Sequence, residues 1–346
     1  MYIALTGYMA CGKGEVAKKL QEKGYKYISL SDIVRREADK KGLEHTRENL
    51  QKVGNELREK NGPAVLGKLV RETILEQDKE NFGKNDWVID GVRNPKEVEE
   101  LKNIPNNYLL SLTASDETIV NRIKSRKRPG EEDVSTEDIL ARLNKEKGIG
   151  EDMSGQQTKK CVEMSDFEII NEGSFAQLEE KLNHFVNLMN GYTRPNFDEI
   201  FMEIAYTWAK RATCLRRRVG AVIAKDSQQL TAGYNGAPKG IPHCADMGGC
   251  LREKLGIPSG QRAEICRGTH AEQNAITQAA KFGINISGAT LYCNTFPCII
   301  CTKLILNSGI EKIVYDSDYN DPLSKEMLSQ QLNVKMVRYE GKKFKI

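Results

Sequence analysis

The chain has 346 residues, 39% hydrophobic and 29% charged, which is enough to bury a sizeable core and long enough for two domains. Its 52 basic and 48 acidic residues are intermixed and leave a formal charge of +4, so no tail or face declares itself as a nucleic-acid site and small-molecule substrates are favoured. Tyr2-Ile3-Ala4-Leu5 is only a strand's length, unlike a signal peptide or a membrane span, which predicts a cytoplasmic protein with no membrane partner.

In chain order, short apolar runs alternate with amphipathic stretches up to about residue 190, as a parallel sheet wrapped by helices requires. The predicted strands are Ile3–Thr6, Tyr27–Leu30, Trp87–Asp90, Tyr108–Leu112 and Phe167–Ile170, with helical spacing over Arg47–Lys60 and Ala64–Glu76. Gly191-Tyr192-Thr193-Arg194-Pro195 breaks the pattern and sets the expected boundary between domains 1–190 and 191–346. Beyond it come a helix from Phe197 to about Thr213, strands at Val219–Ala224 and Leu230–Tyr234, and an irregular segment. A helix from His270, a strand at Thr290–Asn294, a helix from Cys298 and a strand at Lys312–Tyr315 complete the pattern.

Two motifs in the second half carry chemistry. His270-Ala271-Glu272 and Pro297-Cys298-Ile299-Ile300-Cys301 offer one imidazole and two thiolates, three ligands that leave the fourth tetrahedral position of Zn²⁺ open for water. An open position means catalysis, and this is the pattern of zinc-dependent nucleobase deaminases. Glu272 is too close to His270 in sequence to be a comfortable fourth ligand, but on a helix leading away from the metal its carboxylate lies beside the water and can move protons. A redox pair would not need the remote His-x-Glu, and a structural zinc would normally close with a fourth Cys or His.

Nine cysteines, an odd number, argue for metal ligands and free thiols over a disulfide framework; Cys11, Cys161 and Cys214 have no obvious partners and read as packing residues. Arg216, Arg217 and Arg218 precede a strand, and one or more could grip a phosphate through charge-assisted hydrogen bonds, or simply lie solvated. Gly233–Gly240 is either a tight turn or a binding loop in which Asn235 supplies both a donor and an acceptor. In the first half, Gly7-Tyr8-Met9-Ala10-Cys11-Gly12-Lys13 follows a strand and opens a helix, the setting of a phosphate-cradling loop. The next position, normally a magnesium-binding Ser or Thr, is Gly14, and Glu15 would repel a γ-phosphate unless a cation intervened.

Residues from about Asn196 to Glu340 resemble the deoxycytidylate deaminases of the cytidine deaminase superfamily. The resemblance rests on Val219-Gly220-Ala221-Val222-Ile223, on Gly233-Tyr234-Asn235-Gly236-Ala237-Pro238-Lys239-Gly240, on His270-Ala271-Glu272-Gln273-Asn274-Ala275-Ile276 and on Thr295-Phe296-Pro297-Cys298. It implies an α/β/α sandwich that hydrolyses dCMP to dUMP and ammonia with zinc-activated water, or acts on dCTP or both in a nucleotide-depleting antiviral role. Deamination of another nucleobase and a non-catalytic sensing module are the alternatives, the latter opposed by the presence of Glu272. By the same resemblance, Asn235 binds the deoxyribose hydroxyl and the backbone around Ala271 reads the pyrimidine edge; Tyr315, Asp316 and Tyr319 follow the last core strand, where they could close the pocket. His243, Cys244, Cys250 and Cys266 are candidate ligands of an additional structural zinc. A homo-oligomer with dCTP and dTTP as effectors is implied as well.

Residues 1–190 resemble nucleoside-monophosphate kinases, which implies a parallel sheet with helices on both faces. Ser31-Asp32-Ile33-Val34-Arg35 matches the monophosphate-binding segment, Asp90 matches the acidic strand end near magnesium, and Arg122, Arg126 and Arg128 fall where a lid closes. Gly7, Gly12, Lys13, Gly14 and Asp90 are then expected to bind ATP or GTP, with Mg²⁺, in a domain that regulates more than it transfers phosphate.

Overall fold

The structure, a computed structural model, describes residues 1–78, 85–126, 134–152, 155–258 and 261–344. Met1–Thr193 with Gly341–Lys343 form one compact unit, and Arg194–Glu340, joined by Phe344, form a second. Among the described residues no helix is long and apolar enough to cross a membrane.

The first unit is built on β1 (Tyr2–Gly7), β2 (Lys26–Ser29), β3 (Trp87–Asp90), β4 (Asn107–Thr113) and β5 (Phe167–Ile170). They pair in parallel in the order β5-β4-β1-β3-β2. Both faces are covered, so the strands read as nearly continuous apolar runs. Tyr2, Ala4, Trp87, Ile89 and Leu109 pack on Leu66, Val70 and Ile74 of helix Val65–Gln77. The alternate residues Ile3, Leu5, Val88 and Leu110 pack on helices Lys13–Glu22 and Phe175–Met189. From β1 the chain fills one side of the sheet with β2 and β3 and then crosses to β4 and β5. The carboxyl end of β1 is thus the switch point where such sheets bind ligands. Gly7 sits there at φ +130°, and a Cβ on it would come within 1.9 Å of Leu112 O, so only glycine fits.

The second unit contains β6 (Gly220–Lys225), β7 (Gln228–Tyr234), β8 (Thr290–Thr295), β9 (Lys312–Ser317) and β10 (Lys335–Arg338), in the order β10-β9-β8-β6-β7. β6 runs antiparallel to β7 and β8, and β8, β9 and β10 are mutually parallel. Ala221, Ile223, Leu291, Cys293 and Ile313 face helices Ala271–Phe282 and Ile299–Asn307. Val222, Ala224, Tyr292 and Val314 face Phe201, Met202 and Ala205 of helix Phe197–Ala209. The result is the expected α/β/α sandwich. Gly233 is required by packing: its Cβ would lie 2.4 Å from Ala271 O, so its absence lets the helix that follows His270 settle on β7. β11 (Gly341–Lys342) pairs antiparallel with β5 in the first sheet.

Two local expectations need correction. The helix predicted to reach Thr213 ends at Ala209, because the chain turns there and the Thr213 N–H donates to Asn235 O at the end of β7. Helix Pro322–Ser329 and strand β10 were not anticipated; the strand is only four residues long and half exposed, which leaves a weak apolar signal.

Candidate active site

His270 and Cys298 occupy the same structural position. Each is the N-cap of a helix on the same face of the second sheet, with extended backbone (φ −76°, ψ 161° and φ −77°, ψ 167°). The His270 N–H is satisfied by Gln273 Oε1 at 2.8 Å, and the Ile299 N–H by Asp321 Oδ2 at 2.8 Å. These bonds fix where each helix begins. Cys301 follows one turn into the second helix, so the i, i+3 spacing returns its thiol beside that of Cys298. His270 Nδ1 lies 3.2 Å from Cys298 Sγ and 3.3 Å from Cys301 Sγ, and the three ligand atoms are mutually within 4.8 Å. One imidazole and two buried thiols at this separation fit Zn²⁺ with a coordination position to spare.

The electrostatics match that donor set. Hydrogen bonding from Cys301, opposed by burial and aided by His270, brings the Cys298 thiol down to about 4. Burial works against the His270 imidazolium, but hydrogen bonds to Cys266 and Cys298 carry it up to about 11. Cys301 is pushed well above the usual thiol range by its bond to Cys298 and by burial. Without a metal the three groups therefore share protons, with Cys298 the thiolate, and binding a dication would displace the protons from His270 and Cys301. Glu272, in the first turn of its helix, is buried, and burial raises its carboxyl above the ordinary range, with the nearby His270 charge opposing. A carboxyl shifted upward holds a proton more readily than an exposed glutamate, the direction a proton-transfer role needs.

A cavity of ≈ 460 Å³ opens beside this group. Its wall includes His270, Ala271, Glu272 and Cys298, and also Asn235, Arg216 and Arg217. The side-chain amide of Asn235 is engaged with backbone: Oδ1 accepts from Val219 N–H at 2.8 Å and Nδ2 donates to Arg217 O at 2.9 Å. Arg216 Nη1 is buried and has no hydrogen-bond partner among the described residues. Arg217 stacks its guanidinium over the Tyr319 ring, 5.2 Å from the centroid.

Arg218 is exposed and not on the wall. Nor is Tyr315: its ring meets Phe296 edge-on at 5.0 Å, so it buttresses a wall residue instead of closing the pocket. Asp316 is buried against the Tyr206 hydroxyl, and Tyr319 does line the cavity.

The proposed second metal group does not assemble as expected. His243 is exposed, its N–H bonded to Asp246, and among the described residues no three of His243, Cys244, Cys250 and Cys266 bring their ligand atoms within 4.8 Å of one another. Cys214 shares the cavity wall with Cys244, Cys250 and Cys266 in its place. Burial, then Cys250, Cys266 and Cys214, push the Cys244 thiol up. Sequence reading missed Cys214 because it stands 30 residues before Cys244, outside any short ligand spacing. It also missed Asp321, whose role depends on a contact between helices.

In the first unit a cavity of ≈ 1650 Å³ is lined by Gly12, Lys13, Gly14, Glu15, Asp90 and a set of arginines including Arg35, Arg93, Arg122 and Arg126; Gly7 is not on its wall. Arg128 lies outside the described residues. Lys13 Nζ is folded onto its own loop, 2.6 Å from Gly7 O and 2.7 Å from Tyr8 O. The Met9 N–H donates to Glu146 Oε2 at 2.7 Å. Asp90 Oδ2 accepts from the Tyr27 hydroxyl at 3.3 Å, and Oδ1 is buried with no partner among the described residues.

Comparison with known proteins agrees with this division. Residues 195–317 match the cytidine and deoxycytidylate deaminase zinc-binding region, and residues 6–140 match an AAA domain. The deoxycytidylate deaminase of Schizosaccharomyces pombe is 31% identical over 259 residues, 73% of this chain and 76% of that protein. That alignment is longer than either unit, so it draws on both. The deoxycytidylate deaminase of Mycobacterium phage D29 is 40% identical over 131 residues, 36% of this chain and 98% of that protein. A UPF0200 protein of Pyrococcus abyssi is 33% identical over 186 residues, 53% of this chain and 93% of that protein.

Proposed function

The chain belongs to the deoxycytidylate deaminase family, and on that premise we propose that it converts dCMP and water to dUMP and ammonia in the cavity beside Glu272. The observation that carries this reading is the convergence of His270, Cys298 and Cys301 within 4.8 Å at a cavity that also holds the buried Glu272 carboxyl and a guanidinium nitrogen of Arg216 with no hydrogen-bond partner among the described residues. Zinc held by the three residues would supply a Lewis acid and lower the pKa of water from about 15.7 towards about 7. Glu272 takes a proton from the attacking water on its carboxylate and delivers it to the ring nitrogen next to C4. It then takes the second proton of the former water from the C4 hydroxyl and passes it to the amino group, so that the C4–N bond breaks, ammonia leaves and the C4 carbonyl forms. Arg216 and Arg217 face the 5′-phosphate, with Arg216 the stronger candidate because its buried Nη1 has no hydrogen-bond partner among the described residues, its Nε being the atom that pairs with Glu253 at 3.7 Å.

The P-loop unit binds a nucleoside triphosphate with Mg²⁺ and modulates deamination. Gly14 and Glu15 in place of a magnesium-binding hydroxyl support a ligand-sensing role over phosphoryl transfer. A structural zinc on Cys214, Cys244, Cys250 and Cys266, which share the cavity wall, requires these thiols to draw together on binding, since among the described residues no three of them stand within 4.8 Å of one another. Metal analysis then gives about two ions per chain, lowered to about one by Cys214→Ser and unchanged by His243→Ala. The deciding experiment for the main reading incubates zinc-loaded protein with dCMP, dCTP, CMP and deoxycytidine and measures ammonia and product for each. Turnover of none of them, with zinc bound, removes the proposal; turnover of dCTP alone reassigns the substrate.

A further inference from the structure

Just before β6 the chain leaves the ladder, and its backbone groups need partners that no strand supplies. Two asparagines provide them from opposite sides. At the end of β7, Asn235 binds Val219 N–H through Oδ1, Arg217 O through Nδ2 and Val219 O through its own N–H, at 2.8, 2.9 and 3.1 Å. In β8, the buried Asn294 accepts from Gly220 N–H through Oδ1 at 3.1 Å and donates from Nδ2 to Arg218 O at 3.1 Å. A primary amide carries a carbonyl and an N–H in the same relation as a peptide, so each side chain extends its strand's pairing by one step. Asn294 is itself held from behind, its carbonyl accepting from the Ser317 hydroxyl at 2.7 Å.

The segment held in this bracket is the one that carries Arg216 and Arg217 on the cavity wall. A long guanidinium arm reaches a fixed point only if its backbone is fixed, and the bracket supplies that constraint from both neighbouring strands. We propose that Asn294 is a positioning residue for substrate: by anchoring Arg218 O and Gly220 N it orients the arginine segment so that Arg216 meets the phosphate of the nucleotide, without touching the reacting atoms. This rests on the reading of the cavity as a deoxycytidine nucleotide site.

The test compares dCMP with deoxycytidine, which lacks the phosphate, in wild type, Asn294→Ala, Asn294→Asp, Arg216→Ala and the Asn294→Ala/Arg216→Ala double variant, all checked for zinc content. Asn294→Ala is expected to raise KM for dCMP by about tenfold, the scale of one misaligned charge-assisted hydrogen bond. Its kcat on dCMP and its kcat/KM on deoxycytidine should stay within about twofold of wild type, and the double variant should be no worse than Arg216→Ala alone. Asn294→Asp keeps the acceptor for Gly220 N–H and loses the donor to Arg218 O, so it should fall between wild type and Asn294→Ala; it carries the test if Asn294→Ala does not fold. An unchanged KM for dCMP in a wild-type background that prefers dCMP overturns the inference alone. So does a parallel loss towards both substrates, or failure of both variants to retain zinc, since either leaves Asn294 with a structural role only. A wild type that treats dCMP and deoxycytidine alike removes the phosphate reading first, and the inference with it.

Discussion

The zinc site and the P-loop are both built at helix N-termini beside a sheet, yet they differ in how far their groups are already satisfied by the protein. In the zinc site, three donors converge within 4.8 Å and the nearest acid is buried beside them, so the charge of a metal is anticipated by the fold. In the P-loop, Lys13 is bonded to the carbonyls of its own loop and a loop amide already holds the Glu146 carboxylate. One site is arranged around what it will bind, whereas the other must give up internal bonds to bind. Preorganisation of the first kind suits chemistry, and an exchange of partners suits a response to ligand.

The largest effect should come from breaking the organised site. His270→Ala is expected to lose both zinc and all measurable deamination, read by metal content and ammonia release. Glu272→Gln should keep its zinc, because the amide leaves the three ligands untouched, while kcat falls by about 10²–10⁴-fold through loss of proton transfer. Near-normal turnover by a metal-replete Glu272→Gln protein would contradict the assigned proton path.

The contrast also explains what was legible in the sequence. The zinc donors and the acid beside them could be read because each pair is local: His270 and Glu272 are two apart, Cys298 and Cys301 one helical turn apart, and both segments adjoin strands with clear apolar patterns. The core strands were legible as well, since the nearly continuous apolar runs along Tyr2–Gly7 and Gly220–Lys225 reflect two covered faces. Asn294, Asp321 and Glu146 were not, because each acts through a residue between 22 and 137 positions away that only the folded chain brings near. Their residue types are common in turns and on surfaces, and nothing in their neighbours signals a partner. The exposed Arg218 is the solvated member that a run of three arginines allowed for, and the buttressing Tyr315 shows that sequence proximity to a site residue does not place a side chain on its wall.

A smaller effect is expected from removing the cation of the P-loop. Lys13→Ala should weaken nucleoside triphosphate binding to the full-length protein by about ten- to a hundredfold, the scale of a charge-assisted contact to phosphate. Zinc content and basal deamination should stay unchanged, while any effect of nucleotide on deamination should be lost. Isothermal titration beside an activity assay with and without triphosphate reads both, and a Lys13→Ala protein with wild-type affinity would mean that the loop is not the nucleotide site.

Removing negative charge from the same loop should act in the opposite direction and sharpen the contrast. Glu146 is buried and bonded to the Met9 N–H, so a triphosphate entering the loop meets a carboxylate that water screens poorly. Glu146→Gln keeps an acceptor for that amide and removes the charge, and should tighten triphosphate binding by about tenfold at low salt. Glu15 also lines the cavity but is less buried, so more of its repulsion is screened. Glu15→Thr should therefore tighten binding only about two- to threefold, within the range of a partly exposed charge interaction. The two effects should shrink differently on moving from 50 to about 300 mM salt, with that of Glu15→Thr largely disappearing and that of Glu146→Gln persisting. Equal gains with equal salt dependence would show that both carboxylates act as distant surface charges, and the idea of a loop held closed by its own buried acid would then fail.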